Sequence, residues 1–335
     1  MKHILVTGGG GYIGSSLVRE LIDRNYTVRV FDSFYFGKES LKNLIGPLEI
    51  IKGDIREIDA SALKGIDAII HLAALSNDHT ANVSPKLTYE INTLATERLA
   101  KLAKRAKVPK LIFASSTSIY HRQRSAPPDT ENNPVTPEKH YSLSKFLAEK
   151  KLFDLADKTF KVVIFRMATV GGVSPRMRFD LVINAMVKSA LEQKKVFVFS
   201  GKQYRPVIDI RDVIRAYILA LNSPINQDYQ YLFNIAYKNY TVSQIAKEVV
   251  STLNLLGVPV SVIKMHPKQM SKNYKVSTEK IEKLLDFKAL YSPSDTVKEL
   301  FKHLKSRSIN EKNSSTYSDT NKIRSLLTKL KLKYI

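Results

Sequence analysis

The chain has 335 residues, 44% of them hydrophobic, and a formal net charge of +22. This length suffices for a packed core divided between two lobes, and the absence of cysteine excludes disulfides, thiolate zinc sites and cysteine nucleophiles. No apolar run approaches the roughly 20 residues of a membrane span, and a first strand that begins almost at Met1 leaves no signal peptide, so we expect a cytosolic protein.

The positive charge is spread over the chain. Residues 306–335 hold seven Lys/Arg and two Asp/Glu, so most of the excess lies on the body. Such an excess favours anionic partners, among them small molecules, lipid surfaces and nucleic acid, but a generally lysine-rich composition explains it equally well. We predict no specific nucleic-acid partner.

The chain opens with a short apolar strand, a glycine-dense turn and an amphipathic helix. Residues 3–7 form the predicted strand, and apolar residues recur at helical spacing after the glycines. Glycines let the backbone approach a pyrophosphate closely, and the free N–H groups at the start of the helix favour its charge. The residues expected to bind a dinucleotide here are Gly8, Gly11, Tyr12, Ile13 and Gly14.

An acidic residue, Asp32, ends the second predicted strand, residues 27–31. At that position a carboxylate accepts both ribose hydroxyls of an adenosine and repels a 2′-phosphate. The glycine motif alone is weak evidence, but the order strand, turn, helix, strand, acid favours NAD over NADP. The loop that follows contains Phe34, Tyr35 and Phe36, which cover either the adenosine or the core.

Two further strand ends contribute to the predicted cofactor site. Asp54 and Ile55 follow the third strand, where they would meet the adenine, although an Asp also starts turns. Leu72, Ala73 and Ala74 end the fourth predicted strand, residues 68–74, and small residues at a strand end allow close approach to the cofactor. Asn92 lies inside the apolar stripe of a long predicted helix, Val83–Ala106, and either makes a local hydrogen bond or supports a catalytic lysine.

A fifth strand, residues 111–114, ends in Ser115 and Ser116. Strands and helices have by then alternated several times without a hairpin signal. This alternation requires right-handed crossovers, so we predict an α/β fold with a doubly wound, parallel Rossmann-type sheet. Chemistry in such sheets gathers at the carboxyl ends of the strands.

Tyr141 and Lys145 share one face of the next predicted helix, 25 residues after Ser116. An ammonium at that spacing lowers the pKa of the phenol, helped by a positive nicotinamide, so that the phenol can transfer protons. Alone, such a pair is common on helix surfaces. Behind a dinucleotide fold and a serine-rich strand end, it points to catalysis.

Five motifs together resemble the extended short-chain dehydrogenase/reductases, and among them the NAD-dependent nucleotide-sugar epimerase/dehydratase group, which includes the UDP-glucose 4-epimerases. The resemblance covers about residues 1–305. It rests on the segment from Thr7 to Gly14 with Asp32, Asp54-Ile55, His71 to Ala74, Ser115-Ser116, and Tyr141 to Lys145.

The resemblance implies roles for individual residues. Tyr141 is the expected catalytic acid/base, Lys145 binds the nicotinamide ribose, Ser116 hydrogen bonds to the reacting hydroxyl, and Ser115 joins the cofactor site. Thr169 contacts cofactor or diphosphate. Arg176 and Arg178 either bind the sugar diphosphate or cap their loop, and Arg205 is the expected anchor for the phosphates of the nucleotide.

Some family activities fit poorly. Thr117 and Ser118 stand where the family's dehydratases have an Asp-Glu pair, and its decarboxylases keep a Glu at the place of Ser118. Epimerases that use a cysteine acid/base are excluded. What remains is a nucleoside-diphosphate-sugar 4-epimerase; the alternatives are a reductase or dehydrogenase of a nucleotide sugar and a non-catalytic or RNA-binding member of the fold.

The predicted organisation has a cofactor domain at residues 1–170, to which 205–236 return, and a substrate lobe at 171–204 and 237–305. A linker, 306–320, leads to a basic amphipathic tail helix, 321–335, which either contacts an anionic membrane surface or docks on protein. From the resemblance we expect a homodimer through the helices Val83–Ala106 and Tyr141–Asp157.

Overall fold

The computed structural model describes residues 2–120, 127–223, 228–266 and 273–306. The linker beyond Ser306 and the predicted tail helix therefore lie outside the described residues. Within the described ranges, no helix is both long and apolar enough to cross a membrane.

A seven-stranded parallel sheet organises the molecule and confirms the predicted fold class. Its spatial order is β10-β6-β5-β4-β1-β2-β3. The strands are β1 (His3–Thr7), β2 (Thr27–Asp32), β3 (Leu48–Lys52), β4 (Ala68–His71), β5 (Lys110–Ser116), β6 (Lys161–Met167) and β10 (Gln230–Ile235). The order reverses between β1 and β4, and such a reversal opens a crevice at the carboxyl ends of the strands.

Helices cover both faces of this sheet, and each face has its own apolar core. They include α1 (Tyr12–Asp23), α2 (Asp78–Val83), α3 (Pro85–Tyr89), α4 (Ala95–Arg105), α5 (His140–Leu155) and α7 (Ile210–Asn222). The fully buried runs of β1, β4, β5 and β6 explain why these segments read as continuous apolar strands in the sequence.

The predicted helix Val83–Ala106 is helical from Pro85 to Arg105, because α3 and α4 are joined by residues with helical dihedral angles. It begins two residues later than predicted, since proline has no N–H to continue α2 and Ser84 instead caps the N-terminus of α3. The chain then passes through a π-helical turn, Glu90–Leu94, before α4. This turn carries Asn92, which is fully buried.

A second layer contains two small sheets and its own apolar core. In one sheet β9 (Tyr204–Asp209) lies between β7 (Thr169–Gly171) and β11 (Lys238–Thr241), and in the other β8 (Lys195–Phe199) pairs with β12 (Ser261–Met265). The helices here are α6 (Val182–Gln193), α8 (Val242–Leu255), α9 (Glu279–Leu285) and α10 (Pro293–Lys305). Of the segment expected to return to the first domain, β10 joins the large sheet, whereas β9 stays with β7 and β11.

Candidate active site

A cavity of about 460 Å³ lies at the carboxyl ends of the parallel strands. Its walls come from the turns after β1, β2, β3, β4, β5 and β6, from α5, and from the segment between β7 and α6. Every residue predicted for cofactor, substrate or catalysis lines it except Asn92 and Arg205.

The glycine turn after β1 has no side chains that would keep a ligand away from its backbone. Gly8 has φ +74°, and a Cβ there would lie 2.6 Å from the amide nitrogen of Ala73; a Cβ on Gly14 would lie 2.2 Å from the carbonyl oxygen of Gly8. Helix α1 starts at Tyr12 without a side-chain cap on its first N–H groups. These free donors and the positive helix end suit a pyrophosphate.

Asp32 stands at the rim of this turn. Its carboxylate accepts hydrogen bonds from the backbone N–H groups of Gly10, at 2.9 Å, and Phe34, at 2.7 Å. Burial raises the pKa of Asp32, and the two backbone hydrogen bonds partly offset that effect. The carboxylate is thereby fixed in place, with oxygen lone pairs still free to accept ribose hydroxyls. The glycine turn and Asp32 together fit a dinucleotide without a 2′-phosphate.

Asp54 and Ile55 also line the cavity, but the Asp54 carboxylate is held by a neighbour. Asp54 accepts from the backbone N–H of Arg56 at 2.9 Å and pairs with its guanidinium at 2.6 Å. Both side chains are largely buried, so the pair orients the carboxylate at the predicted adenine end.

The wall formed by Leu72, Ala73 and Ala74 is supported by a buried hydrogen-bond chain through His71. Thr7 Oγ1 lies 2.6 Å from His71 Nδ1 and accepts from the amide of Ala73, and His71 Nε2 lies 2.8 Å from Thr96 Oγ1. Because Thr96 donates to the Asn92 carbonyl oxygen, its hydroxyl accepts from His71 Nε2. Burial lowers the pKa of His71 to about 3, so the imidazole is neutral.

Asn92 lies behind the cavity wall. Its side chain accepts from the amide of Leu75 at 2.9 Å and donates to the Leu75 carbonyl oxygen and to Ser144 Oγ. Since Leu75 lines the cavity and Ser144 precedes Lys145 on α5, Asn92 ties the loop after β4 to that helix. This geometry corresponds to the supporting role considered for Asn92, not to contact with a cofactor in the cavity.

Ser116, Tyr141 and Lys145 meet at one end of the cavity. Tyr141 and Lys145 lie one turn apart on α5. Burial raises the pKa of Tyr141 to about 12, against which the positive charge of Arg178 and the nearby Ser116 hydroxyl act. Arg178 is thus a cation that lowers the phenol pKa and that the sequence did not identify; the sequence named Lys145 and a positive nicotinamide for this effect.

Lys145 is 2% exposed, and its Nζ lies 4.6 Å from the centroid of the Phe113 ring. Burial lowers the pKa of Lys145 to about 7, and the negative charge of Glu149 opposes this effect. A lysine with such a pKa changes its charge near neutral pH.

Sequence reasoning missed the buried charges behind these groups. Glu149, one turn after Lys145, accepts from the hydroxyl of Ser115 and pairs with Arg166 at 2.7 Å. Arg166 also donates to the Tyr120 hydroxyl at 2.6 Å. The available signal was a Glu at a core-facing position of α5 and an Arg within the apolar strand β6, since buried charges require partners.

The residues predicted to bind the substrate do not all line the cavity. Thr169 lines the cavity. Arg178 pairs with Asp180 at 2.5 Å and donates to the Ser76 hydroxyl at 3.1 Å. Arg205 does not line the cavity: its guanidinium lies 5.5 Å from the ring centroid of Tyr274, which does.

Two hydroxyl side chains occupy the positions at which the resemblance implies carboxylates in dehydratases and decarboxylases. Thr117 and Ser118 line the cavity beside Ser116. Thr117 donates to the Met167 carbonyl oxygen, and Ser118 Oγ lies 3.0 Å from Ser116 Oγ. Neither side chain can act as a carboxylate acid or base.

Comparison with known proteins agrees with this geometry. A sequence model of the NAD dependent epimerase/dehydratase family matches residues 4–236. The chain belongs to this family. Its members are NAD-dependent enzymes, so the predicted cofactor is confirmed.

Similar proteins include more than one activity. The chain is 30% identical to a UDP-glucose 4-epimerase of Lactobacillus helveticus over 272 residues, covering 73% of this chain and 81% of that protein. It is 27% identical to a UDP-N-acetyl-alpha-D-glucosaminuronate decarboxylase of Bacillus cytotoxicus, covering 85% and 92%. A solved UDP-glucuronic acid 4-epimerase of Bacillus cereus, in complex with UDP-glucuronic acid and NAD, superposes with a TM-score of 0.79 at 26% identity over 90% of this chain and 99% of that one.

Proposed function

We propose that this family member is an NAD-dependent 4-epimerase of a nucleoside-diphosphate sugar. The observation that carries the proposal is the meeting of Ser116, Tyr141 and Lys145 in a cavity whose neighbouring positions, Thr117 and Ser118, hold hydroxyls and no carboxylate. Oxidation and re-reduction of one carbon needs one proton-transfer group. Elimination of water would need a further acid and base.

The chain's residues have defined roles in such a cycle. Tyr141 accepts the proton of the sugar hydroxyl as a phenolate, the form that nearby positive charge favours against the effect of burial. Ser116 holds that hydroxyl through a hydrogen bond. Arg178 and the buried ammonium of Lys145 supply positive charge at the same end of the cavity. When bound, NAD supplies the hydride acceptor and later the hydride donor. After the keto sugar has rotated in the cavity, Tyr141 returns the proton to its oxygen.

The relatives named as epimerases support this choice, whereas the decarboxylase relative keeps a second reaction open. A decarboxylase would release CO2 from a sugar acid, and a dehydrogenase or reductase would change the redox state of the cofactor stoichiometrically. Epimerisation, decarboxylation and net oxidation or reduction give different products, so one set of assays distinguishes them.

The decisive experiment uses the full chain, purified and denatured to quantify released NAD, and then assayed with UDP-, GDP- and CDP-sugars. With a substrate carrying deuterium at C4, an epimerase keeps the deuterium at C4 of both epimers and accumulates no NADH. Release of CO2, stoichiometric NADH or absence of any turnover would overturn the proposal. The Tyr141→Phe variant is the matched control for contaminating activity.

We also propose a homodimer. The two helices expected at its interface expose apolar side chains, Leu94 beside α4 and Leu143 on α5. Light scattering of the full chain tests this directly, and a monomer at micromolar concentration would contradict it.

A further inference from the structure

Two arginines of the segment between β7 and α6 lie two positions apart but reach different parts of the cavity. Arg178 contacts Ser76 and Asp180 and acts electrostatically on Tyr141, at the catalytic end. Arg176 instead reaches the end formed by the glycine turn and the loop after β2. The sequence treated both arginines alike, as residues that either bind the sugar diphosphate or cap their loop.

The contacts of Arg176 place it beside the adenosine end. Its guanidinium carbon lies 3.9 Å from the centroid of the Phe36 ring, and only 8% of the residue is exposed. Its positive charge also lowers the pKa of Asp32, against the larger opposite effect of burial. A guanidinium stacked on an aromatic face presents its N–H groups at its edges, where they can donate to an anion.

The backbone that carries Arg176 is fastened to the start of α1. Ser174 Oγ donates to the carbonyl oxygen of Tyr12 at 2.6 Å and lies 3.1 Å from Ser15 Oγ, and it accepts from the amide of Arg176. The Tyr12 hydroxyl in turn donates to the carbonyl oxygen of Gly172 at 2.8 Å. Arg176 is therefore held at the same helix end that offers free N–H groups to a pyrophosphate.

We propose that Arg176 is a cofactor clasp, which binds the pyrophosphate of NAD from the side opposite the glycine turn and, stacked on Phe36, closes the adenosine end of the cavity. This inference rests on the proposed NAD-dependent function. It moves Arg176 from the substrate, where the sequence placed it, to the cofactor. Guanidinium groups bind phosphate oxygens in a bidentate manner, and here the helix end and the cation would share one anion.

The clasp has a consequence for the reaction cycle. Asp32 and Phe36 belong to the first layer of the fold, whereas Arg176 comes from the segment that leads into α6 of the second layer. Release of the cofactor therefore requires Arg176 to leave Phe36. A slow release suits an enzyme that keeps the reduced cofactor until the hydride has returned to the sugar.

The test compares Arg176→Met with Arg178→Met, two matched changes in one segment. NADH bound to the full chain is displaced by excess NAD, and its fluorescence gives the dissociation rate. We expect Arg176→Met to raise this rate about 10-fold or more, since charge-assisted hydrogen bonds are lost, and Arg178→Met to change it less than about twofold. Phe36→Leu should change the rate in the same direction as Arg176→Met but by less.

A second measurement locates the contact on the pyrophosphate. Arg176→Met should weaken binding of ADP-ribose far more than binding of adenosine monophosphate, which has no pyrophosphate. Thermal unfolding without cofactor checks that the variants fold. An unchanged NADH dissociation rate in Arg176→Met, with weaker binding of UDP, would overturn the clasp and return Arg176 to the substrate site.

The clasp and the proposed function fail in different ways. If the wild type binds NADH but converts no nucleotide sugar, the proposed function fails while the dissociation rates still decide the clasp. If the wild type epimerises a sugar and Arg176→Met leaves NADH dissociation unchanged, only the clasp fails.

Discussion

Ser115 donates a hydrogen bond to the buried carboxylate of Glu149, directly behind the cavity wall that carries Ser116 and Lys145. Glu149 also neutralises Arg166, which is 3% exposed. One carboxylate thus joins the end of β5, the helix α5 that carries Tyr141 and Lys145, and the strand β6. Removing its charge should affect stability and catalysis separately.

Glu149→Gln keeps the shape of the side chain and leaves Arg166 buried without its counter-charge. We expect a loss of about 3–5 kcal/mol in the free energy of unfolding, because a buried charge without a partner is costly. Urea denaturation measures this loss. The control is Glu97→Gln, which removes a partly exposed pair with Lys101 and should cost less than about 1 kcal/mol. Equal losses in the two variants would contradict the role given to Glu149.

The same variant should shift the pH dependence of turnover. The negative charge of Glu149 raises the pKa of Lys145 against the stronger effect of burial. Without that charge the ammonium loses its proton at a lower pH, so the alkaline fall in kcat should move to lower pH in Glu149→Gln. A purely structural role would lower kcat or the folded fraction without moving the profile. The pH profile of kcat at saturating substrate distinguishes the two.

The buried charge of Lys145 should lower the free energy of unfolding of the protein. Burial lowers its pKa from 10.5 to about 7, so between these pH values the unfolded chain binds more protons and stability rises with pH. Lys145→Met removes this buried charge while Glu149 keeps its partner Arg166. We expect the variant to be more stable at pH 6 by roughly 1–3 kcal/mol, to lack that rise with pH, and to be inactive. Lower stability at pH 6 would contradict the prediction.

The parts of this molecule that local sequence determines could be predicted, and those that depend on distant contacts could not. Alternating apolar runs and a glycine turn before Asp32 were enough for the sheet and the cofactor. The start of the helix at Pro85 carries a local signal too, since proline is favoured at the first helical position. By contrast, the positions of Arg176 and Arg205 depend on how the second layer packs on the first, which no local pattern encodes.

Buried polar groups show the same limit. A Glu in a helix and an Arg in a strand, 17 residues apart, form the pair Glu149–Arg166 only after α5 has packed on the sheet. The influence of Arg178 on Tyr141 joins residues 37 positions apart in the chain. Spacing of four on one helix therefore brought Tyr141 and Lys145 together as a candidate pair, but gave no sign of Arg178.

Tyr141→Phe should lower kcat by about 10²–10⁴-fold, since it removes the group that transfers the proton. Binding of NADH should stay near that of the wild type, because the ring and its packing remain. The matched control is Tyr217→Phe. Tyr217 is also fully buried, and the contact of its hydroxyl in the described part of the chain is a long one, 3.6 Å, with the Met167 sulfur. We expect that control to stay within about twofold of the wild type. Turnover by Tyr141→Phe at the rate of the control would refute the assignment of Tyr141.

His71 should make the protein sensitive to acid. Its folded pKa of about 3 lies below the ordinary value of 6.5, so between these pH values the unfolded chain binds more protons and stability falls as pH falls. Between pH 6 and 4 the wild type should lose about 1.4 kcal/mol per pH unit from this group. In His71→Asn that slope disappears, although the variant is less stable at pH 7 because the links to Thr7 and Thr96 are lost. The exposed His140→Asn is the control and should keep the wild-type slope. Urea denaturation at each pH measures all three proteins, and equal slopes for the wild type and His71→Asn would show that His71 is not held neutral by burial.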